Sequence, residues 1–296
     1  PLMPARDIAA AVLVAFIYGV SFVAIRAAVT DLPPLLVTGY RFFFAAVPLI
    51  FFIKRPAVPF LPLAAYGFMQ GTVMFGLAFT AIAMGMPAGL ASLIVQLQVF
   101  FTIALAVLIF GETPSRQQII GTIIGFAGIA FLATSDTAIP ALPFMMVVAS
   151  AFAWAVANII AKRAKLNPDE TLGYVVWSSL FGALPLFVIS SLIEGTSFAL
   201  PPHMPSATTL ASIVFLAVIT QIIAFTLWVG LLNKHPAPRV MPFALLIPIF
   251  GIGSTSLAFG EVLTWQTGIA SAIVLCGLAI AIFGARQAKI KAQRKH

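Results

Sequence analysis

Residues 15–20 read AFIYGV and are followed at a fixed interval by the basic residue Arg26. Residues 151–156 read AFAWAV and are followed at the same interval by Lys162. Both stretches place an aromatic residue between small ones in the middle of a long apolar segment. Weak internal symmetry of this kind, seen in two distant apolar segments, indicates a duplicated membrane unit.

A second motif, FGE, occurs at 110–112 and again at 259–261. The two copies of each motif lie five apolar segments apart. Because five is odd, the second copy would enter the membrane from the opposite side. Inverted duplication is typical of secondary transporters, whose substrate site lies where the halves meet. We predict a first repeat at residues 1–135 and a second, inverted repeat at residues 136–296.

The composition is that of a membrane protein. Of the 296 residues 61% are hydrophobic and 8% are charged, and the mean hydropathy is +1.11. Soluble domains average roughly 45–50% apolar and about 25% charged residues. Long apolar segments that cross a bilayer form helices, so we predict an all-α protein with ten transmembrane helices around a central cavity. The predicted spans are 7–28, 34–53, 61–83, 87–110, 115–133, 141–161, 170–192, 208–232, 237–258 and 265–285.

The net charge of +8 reflects orientation in the membrane rather than nucleic-acid binding. With a cytoplasmic N-terminus, 14 of the 16 Lys and Arg fall in inside loops or at the termini. Such asymmetry predicts that both termini are cytoplasmic, in the inner or plasma membrane. The basic C-terminal tail then lies near anionic lipid.

Cys276 is the single cysteine and lies in the last predicted span. A disulfide or a cysteine metal cluster within one chain is therefore excluded. The first span belongs to the repeat and lacks a cleavage-site pattern, so we do not expect a signal peptide. No cofactor is expected.

The second and seventh predicted spans align with each other. Three residue pairs share one offset and recur at i, i+4 and i+8, which places them on one helical face. An aligned aromatic and proline face in both halves supports the duplication. The pairs are Tyr40 with Trp177, Phe44 with Phe181, and Pro48 with Pro185.

These motifs resemble the drug/metabolite transporter superfamily, EamA-type. The resemblance rests on the aromatic motif of spans one and six, on RFFFA at 41–45, and on Gly-Glu after spans four and nine. It is closest to bacterial exporters of aromatic and other neutral amino acids. It implies that spans one to four and six to nine surround the cavity, while spans five and ten buttress it. One departure is Val99, which stands where Pro248 lies in the second half, so we expect the halves to bend differently.

The predicted membrane interior lacks carboxylates and histidines, because all eight acidic residues and all three histidines fall at span ends or in loops. A proton-coupled cation extruder needs an intramembrane carboxylate, and a hydrolase needs a base beside its nucleophile. We therefore expect no enzyme and no metal site. The prediction is an exporter of neutral, especially aromatic or apolar, amino acids by alternating access and facilitated diffusion. The alternatives are a proton-coupled metabolite or drug exporter and a lipid flippase.

The candidate site residues are neutral polar and aromatic groups inside the spans. Such groups orient a zwitterion while aromatic rings contact its apolar side chain. We assign Arg41 to the substrate carboxylate, and Tyr40, Pro48, Pro185 and Pro248 to gating and kinks. The predicted cavity residues are Tyr18, Ser21, Gln70, Gln96, Trp154, Asn158, Trp177 and Ser178.

Each assignment has a structural alternative. The aromatic residues could fill space between helices. Asn158 and Gln96 could join helices by hydrogen bonds, and Arg41 could pair with Asp31 or with helix carbonyls. The glutamates at 112 and 261 are expected to shape the turns into spans five and ten, with Thr113 capping span five before Pro114.

Small-residue motifs predict close helix contacts, as in Gly121-x-x-x-Gly125 on span five. Packing within one protomer is the favoured use of this motif, and a dimer contact is the alternative. The expected partners are a small-molecule substrate and the lipid bilayer, with the chain a monomer or a weak homodimer.

Overall fold

The computed structural model describes residues 3–111, 113–134, 140–164, 166–235, 240–261 and 264–293. All regular secondary structure in these residues is helical. The predicted split between the repeats, near residue 136, lies outside the described residues. The domain boundary therefore stays a prediction.

The first half contains five helical segments. Two of them change pitch on the way: α3 has a π-helical stretch at Phe68–Phe75, and α4 has a 3₁₀ turn at Val95–Leu97. The segments are α1 (Ala5–Val29), α2 (Pro34–Ala46), α3 (Phe60–Ala83), α4 (Ala88–Phe110) and α5 (Arg116–Thr134).

The second half repeats these changes of pitch in the corresponding helices. A π-helical stretch occupies Phe215–Ala224, and a 3₁₀ turn occupies Met241–Leu245. A short 3₁₀ turn, Pro168–Glu170, precedes α7. The segments are α6 (Ala141–Ala164), α7 (Thr171–Ile193), α8 (207–234), α9 (241–259) and α10 (Trp265–Gln293).

Among the described residues, seven helices are long and apolar enough to cross a membrane. They belong to α1, α3, α4, α6, α7, α8 and α10, and two shorter apolar helices lie at Arg116–Leu132 and Phe243–Phe259. The all-helical membrane class is thereby confirmed. The count of ten spans stays a prediction.

The second helix is shorter than predicted. The helix α2 ends at Ala46, and turns carry the chain on to Phe52. Pro48 lies just past this end and has no N–H to bond to the carbonyl one turn earlier. Helical hydrogen bonds resume beyond it, from the N–H of Ile50 to Ala46 (2.9 Å) and from that of Ile53 to Leu49 (2.8 Å). The role of Pro48 in gating and kinks therefore stays a prediction.

The helices α4 and α9 share two features. Each has its 3₁₀ turn just before the position of Val99 or Pro248, and each ends at a glycine with a φ of +65°, Gly111 and Gly260. Glycine suits this left-handed cap because it has no Cβ. A proline is therefore not required for the change of pitch, and the expectation that the two halves bend differently stays a prediction.

The buttress predicted for spans five and ten is a close contact between α5 and α10. A Cβ added to Gly121 would lie 2.4 Å from the carbonyl oxygen of Gly277, and one added to Gly125 would meet the ring of Phe100 at 2.2 Å. The small-residue motif of α5 is thus used inside one chain, as the favoured interpretation predicted.

A second close contact joins α3 to α7 beside the centre of the molecule. A Cβ on Gly71 would lie 2.6 Å from the Cα of Gly182, and one on Gly67 would lie 2.0 Å from the carbonyl oxygen of Ser178. The largest apolar core cluster runs along α1, α3 and α4, with Phe79, Leu97 and Phe100 fully buried in it.

Candidate substrate site

A buried arginine lies in the middle of α2, where it faces the π-helical part of α8. Arg41 is 2% exposed, and its Nη2 donates a 3.2 Å hydrogen bond to Oε1 of Gln221. Its guanidinium lies over the ring of Phe75, 3.9 Å from the centroid. Cation–π contact offsets part of the desolvation cost of a buried cation.

Several polar atoms around Arg41 have no hydrogen-bond partner in the described structure. They are Nε and Nη1 of Arg41, Nε2 of Gln221 and Oγ1 of the adjacent Thr220. A buried unpartnered donor costs about 1–3 kcal/mol, so such groups seldom cluster without a function. Thr220 and Gln221 lie in a π-helical segment, and π-bulges are frequent at functional sites.

Asp31 is not the partner of Arg41, so that structural alternative is wrong. Oδ2 of Asp31 accepts hydrogen bonds from the backbone N–H of Ser206 (2.9 Å) and from Oγ1 of Thr209 (2.6 Å) at the start of α8. These bonds, the Thr209 hydroxyl first, lower the pKa of the Asp31 carboxyl. Asp31 therefore ties the end of α1 to α8.

Three predicted cavity residues lie near the helices that surround Arg41. Tyr18 is within electrostatic range of the Arg41 guanidinium and packs against Val14, Ile17 and Ala224. Gln96 is buried in the 3₁₀ turn of α4, and its Nε2 has no partner. Trp154 is half-buried against the largest core cluster.

Asn158 is engaged between helices, as its alternative interpretation predicted. Its Nδ2 donates to Oε1 of Gln98 at 2.8 Å and to Oγ1 of Thr102 at 3.2 Å. These bonds join α6 to α4. Asn158 and Gln96 were both candidates for hydrogen bonds between helices. Asn158 makes such bonds, whereas Nε2 of Gln96 has no partner among the described residues.

The predicted serines bond within their own helices. Ser21 donates to the carbonyl of Tyr18 at 2.6 Å, and Ser178 donates to that of Val175 at 3.1 Å. Each hydroxyl still has acceptor capacity. Gln70 is buried in the π-helical part of α3 beside Tyr66.

The paired aromatics Tyr40 and Trp177 lie at opposite ends of the antiparallel pair formed by α2 and α7. The Tyr40 hydroxyl donates to the carbonyl of Ala199, beyond the end of α7, at 2.9 Å. Trp177 Nε1 donates to the carbonyl of Ile53, beyond the end of α2, at 3.0 Å. The gating role assigned to Tyr40 and the cavity role assigned to Trp177 stay predictions.

Two of the predicted prolines lie inside helices. Pro185 is in the interior of α7, and Pro248 is in the first α-helical turn of α9, directly after the 3₁₀ turn. Both positions lack an N–H for the helical ladder. The gating role assigned to these prolines stays a prediction.

Glu261 has a different role from the one predicted for it. Instead of shaping the turn into α10, it accepts hydrogen bonds from the backbone N–H groups of Ala88 (3.0 Å) and Gly89 (3.1 Å) and pairs with Arg26. It thus caps the N-terminus of α4 from α9. Glu112 lies outside the described residues.

The start of α5 is also capped by a different residue. Ser115 Oγ accepts from the N–H of Gln118 at 3.2 Å, and Gln118 Oε1 accepts from the N–H of Ser115 at 2.8 Å. This is a reciprocal capping box. The cap is therefore Ser115 rather than Thr113.

The carboxylates that the structure describes all lie at helix ends or between helices. Within these residues, no group of three or more His, Cys, Asp or Glu side chains could hold a metal ion. The centre around Arg41 is thus electropositive and otherwise neutral. Those carboxylates are Asp7, Asp31, Asp169, Glu170, Glu194 and Glu261.

The polarity of Gln221 marked it as a group that could orient a zwitterion, but the cavity residues assigned from the sequence include neither Gln221 nor Thr220. Both are polar residues in an otherwise apolar helix, and that polarity was the available signal. What the sequence did not contain was the pairing of Gln221 with Arg41, which are 180 positions apart.

Comparison with known proteins gives one family and several full-length relatives. The EamA-like transporter family matches residues 6–134 and 142–283. A Salmonella typhimurium protein named "Probable amino-acid metabolite efflux pump" is 36% identical over 96% of this chain and 97% of its own. An Escherichia coli K12 protein named "Uncharacterized inner membrane transporter YedA" is 24% identical over 90% of this chain and 88% of its own.

A solved structure titled "Crystal structure of protein" has the same fold. It superposes with a TM-score of 0.64, at 19% identity, over 94% of this chain and 97% of its own. At that identity the likeness concerns the fold alone.

Proposed function

The chain belongs to the EamA-like transporter family, and we propose that it exports neutral amino acids, aromatic and other apolar ones above all. Family membership confirms the predicted resemblance and makes the chain a multi-pass inner-membrane transporter. Its partners accordingly include a small-molecule substrate and the lipid bilayer. The proposal is supported by the name of the relative from Salmonella typhimurium, "Probable amino-acid metabolite efflux pump".

The observation that carries the proposal is the buried Arg41 with two free nitrogens. A carboxylate is the planar anion that a guanidinium binds with two parallel hydrogen bonds. The α-carboxylate of an amino acid would bind the unpartnered Nη1 together with the second N–H of Nη2, which lie on the same edge of the guanidinium. The free amide of Gln221 beside it offers a further donor to the same carboxylate.

The surroundings of Arg41 favour one negative charge and an apolar side chain. Phosphorylated metabolites carry two charges, and a site for them is expected to contain several basic groups. Arg41 instead has Phe75 against its guanidinium face and Tyr18 within electrostatic range. Aromatic rings of this kind would contact the side chain of phenylalanine or methionine.

We further propose that ten spans form two inverted repeats with both termini in the cytoplasm. Two helix-end contacts support an antiparallel arrangement of α1 and α8. Asp7, at the start of α1, bonds to Lys234 and His235 at the end of α8 (3.1 and 2.6 Å), whereas Asp31 bonds to the start of α8. Rocking of the halves about the Arg41 site would give alternating access.

The proposed mechanism is facilitated diffusion down the amino-acid gradient. Proton antiport generally needs a titratable group in the translocation path. Described carboxylates at the helix ends, such as Asp31 and Glu194, accept hydrogen bonds from backbone N–H groups, and Arg41 in the middle of α2 has no acidic partner in the part of the chain that the structure describes. A proton-coupled exporter and a lipid flippase are the alternatives that the flux measurements below distinguish.

The test compares Arg41→Gln with the wild-type protein in liposomes. Labelled phenylalanine and phenylalaninamide, which lacks the carboxylate, are the two substrates. We expect Arg41→Gln to raise the apparent KM for phenylalanine much more than that for phenylalaninamide. An equal effect on both substrates would assign Arg41 a structural role and remove the main support for the proposal.

A further inference from the structure

A cavity of about 480 Å³ opens at the end of the molecule where α1 finishes. It lies between the last turn of α1, the loop from α3 to α4, and the residue after α9. One wall is charged and the other is apolar. The lining residues used below are Arg26, Val29, Thr30, Ile82, Met86 and Glu261.

The charged wall is the ion pair of Arg26 and Glu261. Within this pair, some hydrogen-bond donors and acceptors have no partner in the described part of the chain. Arg26 has five N–H donors, and the hydrogen bond it makes among the described residues is the one from Nη1 to Glu261. Its guanidinium is held against the ring of Phe259, 4.4 Å from the centroid, and its side chain is 34% exposed. Most of its donors therefore remain available to a ligand in the cavity.

Glu261 also has capacity left. A carboxylate offers about four lone-pair positions. Arg26 and the N–H of Ala88 occupy Oε1, while the N–H of Gly89 is the partner of Oε2. One position on Oε2 remains free beside the free donors of Arg26.

The geometry points to a second amino-acid site in this cavity, at the mouth through which the substrate leaves or enters. The α-carboxylate would bind the free guanidinium donors of Arg26, and the α-ammonium would bind Oε2 of Glu261. In this orientation each charged group of the zwitterion lies next to the oppositely charged member of the ion pair. This inference rests on the proposed function for the class of substrate.

The opposite wall fits the side chain of the same substrate. Val29, Ile82 and Met86 line it, and each belongs to the largest apolar core cluster. A small cavity with few polar groups and an apolar wall is typical of a ligand site. An apolar amino acid satisfies both walls, whereas a bare anion would leave the apolar wall unused.

The cavity site is separate from the Arg41 site. Arg26 lies in the last turn of α1, whereas Arg41 is eighth in α2. At 1.5 Å per residue, Arg41 is about 10 Å along its helix from the first residue of α2, and no described residue of α2 lines the cavity. The two arginines would therefore bind the substrate one after the other along its path.

The test places a reporter cysteine in the cavity wall. Thr30→Cys is made in a Cys276→Ala background, and the rate of alkylation by a membrane-impermeant maleimide is measured in proteoliposomes. The probes are L-phenylalanine and L-phenylalaninamide. Thr30 is suitable because it lines the cavity and is exposed. Phenylalanine flux is measured in the same preparation.

We expect phenylalanine to slow alkylation several-fold and the amide to have little effect. Adding Arg26→Gln should remove this protection, and adding Arg41→Gln should leave it. Equal protection by both probes, or loss of protection in Arg41→Gln, would overturn the second site, because the cysteine would then report a change that starts at Arg41. The comparison of the two probes on Thr30→Cys needs no change at Arg26, so it stands even if Arg26→Gln fails to fold.

Two further outcomes separate the second site from the proposed function. Phenylalanine that is transported without protecting the cysteine would overturn the second site and leave the proposed function intact. Phenylalanine that is neither transported nor protective would overturn both.

Discussion

Nη2 of Arg41 donates a 3.2 Å hydrogen bond to Oε1 of Gln221, and this contact joins α2 to the π-helical part of α8. The bond uses one of the five guanidinium donors. It fixes the orientation of the guanidinium group and leaves Nε and Nη1 without partners. A pair that served stability alone would be expected to satisfy both groups, and the unpartnered atoms are what the proposed substrate site requires.

Replacing Arg41 by methionine should separate stability from transport. The change removes a buried cation and two unpartnered donors, each costing about 1–3 kcal/mol, and it loses the contact with Phe75, worth up to about 2 kcal/mol. We expect the melting temperature of the purified protein to stay level or rise while amino-acid flux is lost. A marked fall in melting temperature would mean that Arg41 is structural.

The glycine contact between α5 and α10 should be sensitive to a single methyl group. A Cβ on Gly121 would lie 2.4 Å from the carbonyl oxygen of Gly277, and overpacking of this kind costs about 1–3 kcal/mol. Gly121→Ala should lower the melting temperature measured by fluorescence-detected size exclusion. The matched control is Gly268→Ala in α10, where a Cβ meets nothing within 4 Å, and no loss of stability is expected there.

Asn158 should act on stability rather than on substrate recognition. Asn158→Ala leaves the amide oxygen of Gln98 and the hydroxyl of Thr102 without their interhelical donor, at a cost of about 1–3 kcal/mol. The apparent KM for phenylalanine should change little. The control is Thr122→Val, since that hydroxyl bonds within its own helix to Gln118. A large rise in KM with unchanged stability would instead place Asn158 in the substrate cavity.

The link between α1 and α8 through Asp31 should weaken in acid. Hydrogen bonds from Thr209 and Ser206 lower the pKa of Asp31 below its ordinary 3.8. Its contribution to stability is therefore complete above that ordinary value and is lost as the pH falls through the folded-state pKa. Melting temperatures measured across this acid range should fall more steeply for the wild type than for Asp31→Asn.

The control for the acid series is Asp169→Asn in the exposed turn before α7. It should keep the acid dependence of the wild type. Identical profiles for wild type and Asp31→Asn would show that the Asp31 contact does not contribute to stability in this range.

Local patterns in the sequence predicted the helices well. Apolar length predicted eight of the ten segments to within a few residues, and small-residue spacing predicted the packing of Gly121 and Gly125. The predicted end of the second span was too late because hydropathy continues past Ala46, where the regular helix ends. Hydropathy measures burial in lipid, and it does not record a missing N–H.

The contacts of the site were harder to predict because they join distant parts of the chain. The residue type marked Arg41 as a candidate, yet its bond to Gln221 and its lack of an acidic partner depend on how α2 meets α8. Glu261 shows the same limit. Its position after Gly260 indicated a turn residue, but its bonds reach Ala88 and Arg26, which only the packed helices bring close.

The most direct test of the account is flux in liposomes that contain the purified protein. Labelled phenylalanine, methionine, threonine and a phosphorylated control would be measured with and without a pH gradient. We predict saturable flux of the amino acids, strongest for the apolar ones, at a rate that the pH gradient does not change. Flux of the phosphorylated control alone, or no amino-acid flux from folded protein, would contradict the account.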